Sequence, residues 1–265
     1  VVVKTKFIIV VILTKIKKNK KFIYYYIIIH NMSRKKEKKE KKQLPNVLIP
    51  IKCSDKEGWT ESWDSKRNWL CIPHPARILA TGPPSSGKST AIKNIIVRAK
   101  PPFKEIIVVH LDPEGSDEWN DVNPVMKKEI PEPTSFDRKK KRLLIFEDLN
   151  LSEMSKIDKA KLNRLFGYAS SHCNLSIAIT CQNSFDCPAP IRRRCNLFVI
   201  FKQPDLNSLI TLASRTGLKS KHMLYVMSRL LNQPHDSLWI DLQRFSPSTY
   251  RLNGYDKITL DDLDH

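Results

Sequence analysis

The chain has 265 residues and a formal net charge of +19. That length is ample for a sizeable hydrophobic core, and 41% apolar residues are too many for a disordered tail and too few for a polytopic membrane protein. The charge points toward a polyanion such as nucleic acid or an anionic surface, yet residues 1–42 alone carry +12 of it and the remaining chain only +7.

Residues 1–31 contain no acid, Gly, Pro, Ala or Ser, and the first methionine is Met32. So narrow an alphabet is what A/T-rich DNA gives when read through in frame. Translation is therefore expected to start at Met32, with 1–31 an untranslated leader or a disordered segment. The apolar runs 7–13 and 22–29 are separated by Lys15, Lys17, Lys18, Lys20 and Lys21, and neither approaches the ~20 residues of a membrane span. No small-residue cleavage site follows them, so neither membrane insertion nor secretion is expected. Residues 33–42, SRKKEKKEKK, open a basic tail over 32–48. It reads as a solvated charged segment, with a nuclear-localisation or DNA-contacting arm as the sharper alternatives. A single domain is expected over 49–265.

Cys53, Cys71, Cys173, Cys181, Cys187 and Cys195 form no C-x-x-C pair. Zinc ribbons bring their ligands in close pairs, so reduced thiols are expected and a metal–thiolate site is not. Trp59, Trp63 and Trp69 crowd ahead of Pro73. They suit core or lid packing, or stacking on a base.

From Arg77 onward short apolar runs alternate with helical patterns. Strands are predicted over 77–81, 105–111, 142–147, 175–181 and 197–202, and helices over 88–100 and 154–172. In the second helix Leu162, Leu165, Phe166 and Ala169 keep one-face spacing, and Asn150 with Glu153 makes a candidate capping box. Residues 114–138 are polar, contain Pro124, Pro131 and Pro133, and read as a long loop of the kind that is often functional. Helices over 205–214 and 221–231, a strand over 237–242 and a polar end complete the chain. Alternating strands and helices predict an α/β fold, a mostly parallel sheet with helices on both faces.

Gly82-Pro83-Pro84-Ser85-Ser86-Gly87-Lys88-Ser89 fits G-x-x-x-x-G-K-[ST] at every specified position. It follows the strand RILAT and, from Thr90 on, opens an apolar helix, the context that gives the match its meaning. The glycines allow successive N–H groups to converge on phosphate oxygens, and the helix N-terminus favours the anion. Lys88 would reach the β- and γ-phosphates and Ser89 would offer its hydroxyl to Mg²⁺. This is a nucleoside triphosphate site.

The strand LLIF ends in Glu147 and Asp148. A strand-end carboxylate beside the phosphate loop can hold Mg²⁺, and a second can polarise the attacking water. By position Glu147 is the metal-side acid and Asp148 the base. Gln182 ends the strand SIAITC, where an amide can sense the γ-phosphate or orient water. Arg192, Arg193 and Arg194 follow. They could solvate a surface, contact a DNA backbone, or reach a neighbouring subunit's nucleotide as arginine fingers.

Taken together, HPARILATGPPSSGKST, LLIFEDL, TCQNSFDCPAPIRRRCNLFVIFK and DSLWIDL with YRLN resemble the genome-packaging ATPases of the FtsK/HerA superfamily of P-loop NTPases. The branch they resemble is the poxvirus-type one of large DNA viruses, virophages and polinton-like elements. The resemblance covers about 73–253 and implies a RecA-like core, with ATP and Mg²⁺ as cofactors. It also implies a homo-oligomeric ring that pumps double-stranded DNA into a capsid, docked on a capsid or portal component. The setting would be an infected cell, in a cytoplasmic viral factory or the nucleus, or the virion. On these residues the resemblance makes Lys88 and Ser89 the Walker A contacts, Glu147 and Asp148 the Walker B pair, Gln182 the sensor, and Arg192 or Arg193 the finger. Glu147 stands where Asp is commoner.

The alternatives are a nucleotide or metabolite kinase, a GTPase, or a nucleic-acid-binding scaffold with a decayed ATPase. Asp112-Pro113-Glu114-Gly115 matches the D-x-x-G of GTPases, but Ser155-Lys156-Ile157-Asp158 has Ser where guanine reading needs an Asn amide. The tandem acids favour water over a small acceptor as nucleophile.

Overall fold

A computed structural model describes residues 72–151, 153–243, 249–259 and 263, all within the unit Thr60–His265. The expectations for 1–31 and 32–48, for Trp59, Trp63 and Trp69, and for Cys53 and Cys71 lie outside the described residues.

Nine strands form one sheet: β1 (Arg77–Thr81), β2 (Glu105–Val109), β3 (Val125–Lys127), β4 (Arg142–Phe146), β5 (Leu175–Cys181), β6 (Leu197–Phe201), β7 (Ser237–Asp241), β8 (Tyr250–Leu252) and β9 (Asp256–Ile258). Their order is β3-β2-β4-β5-β1-β6-β7-β8-β9. Neighbours from β3 to β6 run parallel, and β7, β8 and β9 continue antiparallel. Strands covered on both faces read as continuous apolar runs, and RLLIF and LFVIF are buried throughout.

Because successive side chains of a strand point to opposite faces, each strand feeds two cores. Leu144 and Phe146 enter one, Leu143 and Ile145 the other. Helix α1 (Lys88–Arg98) closes the second with Ala91, Ile92, Ile95 and Ile96. Helix α2 (Lys156–Arg164) runs on through a π turn, Leu165–Ala169, and covers the first. There Leu162, Leu165, Phe166 and Ala169 are all buried, the face that their spacing predicts. A short helix α3 (Ala189–Arg192) leads into β6, and α4 (Leu206–Thr216) and α5 (Ser220–Tyr225) join α2 on the same core. Helices thus lie on both faces of a mostly parallel sheet. Among the described residues no helix is long and apolar enough to cross a membrane.

Three local expectations shift. Helix α2 starts at Lys156 instead of 154, because Ser155 accepts the Asp158 N–H at 3.1 Å and caps it. Upstream, the Glu153 N–H bonds to Asn150 O at 3.2 Å in a backbone turn. The stretch 114–138 is mostly loop, but Val125–Lys127 adds an edge strand to β2. The end read as polar holds the β8–β9 hairpin. Cys173, Cys181, Cys187 and Cys195 are buried free thiols. Burial pushes the Cys195 pKa up to about 12 and raises those of Cys181 and Cys187 as well, so they pack as neutral groups.

Candidate nucleotide site

The phosphate loop joins the carboxyl end of β1 to α1, and two of its glycines are sterically required. A Cβ on Gly82 would lie 2.6 Å from the Cβ of Phe201, so β6 leaves room only for hydrogen there. Gly87 has φ 104° at the N-cap of α1, a conformation that side chains resist. The Gly82 N–H bonds to Cys181 O at 3.3 Å and the Ser86 N–H to Pro83 O at 3.3 Å, which ties the loop to the tip of β5. Ser86 Oγ is buried inside the loop without a partner. The first turn of α1 holds no acid, so its free N–H groups present an uncancelled positive end. Loop and helix end together suit an anion.

Lys88, 6% exposed, folds back over the loop. Its Nζ donates to Gly82 O and Pro83 O, both at 3.1 Å, and lies 4.0 Å from the Asp148 carboxylate. Ser89 Oγ donates to Glu147 Oε1 at 2.8 Å. The strand register explains why these groups meet. β5 lies between β1 and β4, with Thr81 opposite Cys181 and Phe146 opposite Ile179. The ends of all three strands therefore converge on one crevice, where open α/β sheets bind ligands.

Glu147 is buried and its second oxygen accepts from the Trp119 indole N–H. Burial, with the neighbouring Glu118 and Asp148 carboxyls, raises its pKa to about 7 against the Ser89 hydrogen bond, which favours the anion. Asp148 behaves differently. Its backbone N–H is held by Thr180 O and Oγ1, both at 3.1 Å, and its φ is 43°. Its side chain is 42% exposed and lines the cavity. One acid is clamped and dry, the other open to water and ligand.

Gln182 is exposed just past β5, between the loop and the acids. Arg192 and Arg193 are not at this crevice. They precede β6 at the amino ends of the strands, where Asn196 N–H bonds to Arg77 O at the start of β1. A five-residue strand spans about 17 Å, which sets the Arg193 backbone well away from its own chain's phosphate loop. Arg192 is committed locally: its Nη1 donates to Ser184 O at 2.6 Å and Cys187 O at 2.9 Å, and its guanidinium stacks over Phe185. Arg193 is exposed.

The cavity at the crevice measures about 730 Å³, the size range of small-ligand sites. Besides the loop and Asp148 it is lined by Glu118, His235, Trp239, Asn253 and Tyr255; Trp239 and Asn253 fall in DSLWIDL and YRLN, but the motifs assign a role to none of the five. His235 Nδ1 lies 3.1 Å from Ser86 O. Glu118 and Trp119 sit in the polar stretch 114–138, where a lone fully buried Trp was the available signal. The D-x-x-G match is a local turn, with Asp112 Oδ1 accepting the Gly115 N–H at 3.2 Å. Ser155 and Asp158 cap α2. Neither arrangement is a guanine reader.

No protein-family model and no curated protein matches the chain. Its structure is similar to that of B204, the DNA-packaging ATPase from Sulfolobus turreted icosahedral virus, with TM-score 0.50 and 15% identity over 66% of this chain and 95% of that one. The fold is that of a P-loop NTPase. Weaker likenesses include the genome packaging NTPase B204 from Sulfolobus turreted icosahedral virus 2 in complex with AMPPCP, with TM-score 0.49 and 16% identity over 67% of this chain and 97% of that one. The monomer form of the pCW3 conjugation coupling protein TcpA with ATPγS gives TM-score 0.45 and 14% identity over 72% and 62%.

The donors at the loop fit Mg²⁺. A hydroxyl and a carboxylate oxygen, both hard ligands, already share a 2.8 Å hydrogen bond. Mg²⁺ is typically held by one or two carboxylates together with substrate phosphates and water. Among the described residues no cluster of three or more His, Cys, Asp or Glu forms a self-sufficient metal cage.

Proposed function

We propose that the chain is a Mg²⁺-dependent ATPase that couples hydrolysis to translocation of double-stranded DNA, packaging a viral genome as a homo-oligomeric ring on a capsid or portal component. The observation that carries the hydrolytic part is the crevice itself, where Lys88, Ser89, Glu147 and Asp148 meet at the carboxyl ends of parallel strands. The resemblance of the Gln182–Arg194 stretch to packaging ATPases, and the fold shared with one of them, support the DNA-moving part.

In this reading Lys88 exchanges the carbonyls of Gly82 and Pro83 for the β- and γ-phosphates, and the loop residues Gly82 to Thr90 wrap the phosphate chain. Ser89 and Glu147 would hold Mg²⁺, which when bound supplies charge neutralisation at the phosphates. Trp119 keeps Glu147 turned so that Oε1 faces Ser89. Asp148, open to the cavity, takes the proton from the attacking water, and Gln182 orients that water or contacts the γ-phosphate. Arg193 is exposed at the far end of the sheet and suits a neighbouring subunit's site, where a guanidinium stabilises transition-state charge. Arg192, held by two carbonyls of its own chain, suits a structural role. The moderate +7 outside residues 1–42 suits sequence-independent contact with a DNA backbone.

The test is ATP turnover by the full chain with and without double-stranded DNA. Turnover stimulated by DNA is expected. Absence of turnover, or turnover indifferent to DNA while a small acceptor becomes phosphorylated, would overturn the reading.

A further inference from the structure

The cavity is longer than the phosphate loop needs. Beyond Thr90 it follows α1 past Asn94 to Arg98, and on the side of β7 it is lined by Trp239 and by Asn253 and Tyr255 of the turn between β8 and β9. At 1.5 Å per residue, Arg98 lies about 15 Å along the helix from Lys88. A ligand that fills the cavity therefore extends past the loop.

The two carboxamides and the indole that line this cavity bond within the protein. Asn94 Nδ2 donates to Thr90 O at 2.9 Å, and its Oδ1 accepts from Arg98 Nη1. Asn253 Oδ1 accepts the Ser237 N–H at 2.9 Å, and its Nδ2 donates to Asp236 at 2.9 Å. The Trp239 indole N–H goes to Ser237 Oγ at 2.9 Å, and the Tyr255 N–H to Leu252 O at 3.1 Å. The Asn253 amide holds its own residue at φ 51° and so shapes the turn that carries Tyr255. The Tyr255 side chain takes part in none of these bonds; it is 63% exposed and borders the cavity.

We infer that Tyr255 is the platform on which the nucleotide base stacks, and that the site accepts adenine and guanine nucleotides alike. The inference rests on the nucleotide reading of the phosphate loop. Every base offers a π face, so stacking holds a base without reading it. Adenine and guanine differ in the donors and acceptors along their edges. Matching adenine takes a group with both a donor and an acceptor, as a carboxamide has, and both carboxamides here are engaged. Sites that discriminate strongly leave buried polar groups unpaired with the wrong ligand. Here both carboxamides already bond within the protein.

The experiment is equilibrium binding of ATP, GTP and inorganic tripolyphosphate to the full chain and to Tyr255→Ala and Tyr255→Phe. Wild-type affinities for ATP and GTP should agree within about tenfold. Tyr255→Ala should weaken both nucleotides by roughly tenfold to a hundredfold, the scale of a lost base–aromatic stack. Tripolyphosphate affinity should not change, which also reports that the variant is folded, and Tyr255→Phe should bind like wild type. Nucleotide affinity untouched in Tyr255→Ala, or a larger wild-type preference for either purine, overturns the inference while leaving the phosphate site standing. Failure of tripolyphosphate to bind wild type overturns both.

Discussion

Two cavities at opposite ends of the parallel sheet handle charge in opposite ways. At the carboxyl ends Lys88 faces Asp148 and Ser89 faces Glu147, so each reactive group waits on a neighbour that a ligand can replace. At the amino ends Arg77, Arg193, Arg194 and Arg215 border a cavity of about 390 Å³ with no acidic side chain among its lining residues. Most of these arginines are fixed to backbone: Arg77 to Arg194 O, Arg194 to Asn163 O, Arg215 to Arg193 O. The first cavity brings acids and a lysine together at the phosphate loop, and the second is lined by arginines without an acid. In the proposed ring, the arginines of one copy would serve the phosphate loop of the next.

Substitutions at the carboxyl ends should have the largest effects. Lys88→Ala and Asp148→Asn should both bring ATP turnover to background, a loss of at least about 10³-fold. They should differ in binding: Asp148→Asn retains ATP and Lys88→Ala does not, as calorimetry would show. Normal turnover by Asp148→Asn would remove it as the base.

Arg193→Ala tests the other end. It should lower turnover on the scale of about 10³-fold for a guanidinium that serves transition-state charge, and only where subunits assemble. Equal loss in isolated subunits would mean that it acts within its own chain.

The clamped acid should be visible in stability. The Glu147 pKa is raised to about 7 in the folded chain from an ordinary 4.5, so between those values the folded state binds a proton that the unfolded state has released. Its contribution is most favourable below pH 4.5 and is lost as pH rises toward 7, by about 3 kcal/mol at most. Urea melts of the nucleotide-free protein at pH 5 and pH 7.5 should show that slope, and Glu147→Gln should flatten it. An unchanged slope would place the titration elsewhere.

The smallest effect is expected at Arg192. Removing its guanidinium leaves two carbonyls without their donor, and Arg192→Ala should lower stability by about 2 kcal/mol. Assembled Arg192→Ala should keep its turnover at temperatures where it is folded. If it loses turnover as Arg193→Ala does, the division between the two arginines is wrong.

What the sequence made legible follows from range. The phosphate loop, its strand and its helix are contiguous, so Gly82 to Thr90 could be read from spacing and context alone. The five central strands announced themselves as apolar runs because both faces are covered. Local competition moved the start of α2, since Ser155 and Asp158 three residues apart cap it better than Asn150 does. Strands of three residues, such as Val125–Lys127 and Asp256–Ile258, are too short to show a period. The Trp119 bond to Glu147 and the cavity that Tyr255 shares with α1 join segments far apart in the chain, and no spacing rule encodes them. The triple arginine was visible, but only the fold separates its members into a bound Arg192 and an exposed Arg193.

The most direct test of a site shared between the two ends is to mix two inactive variants. Lys88→Ala keeps Arg193, and Arg193→Ala keeps the phosphate loop, so a mixed assembly should regain ATP turnover that neither variant shows alone. A mixture as inactive as its components, under conditions where the wild type assembles and turns over, would contradict the account.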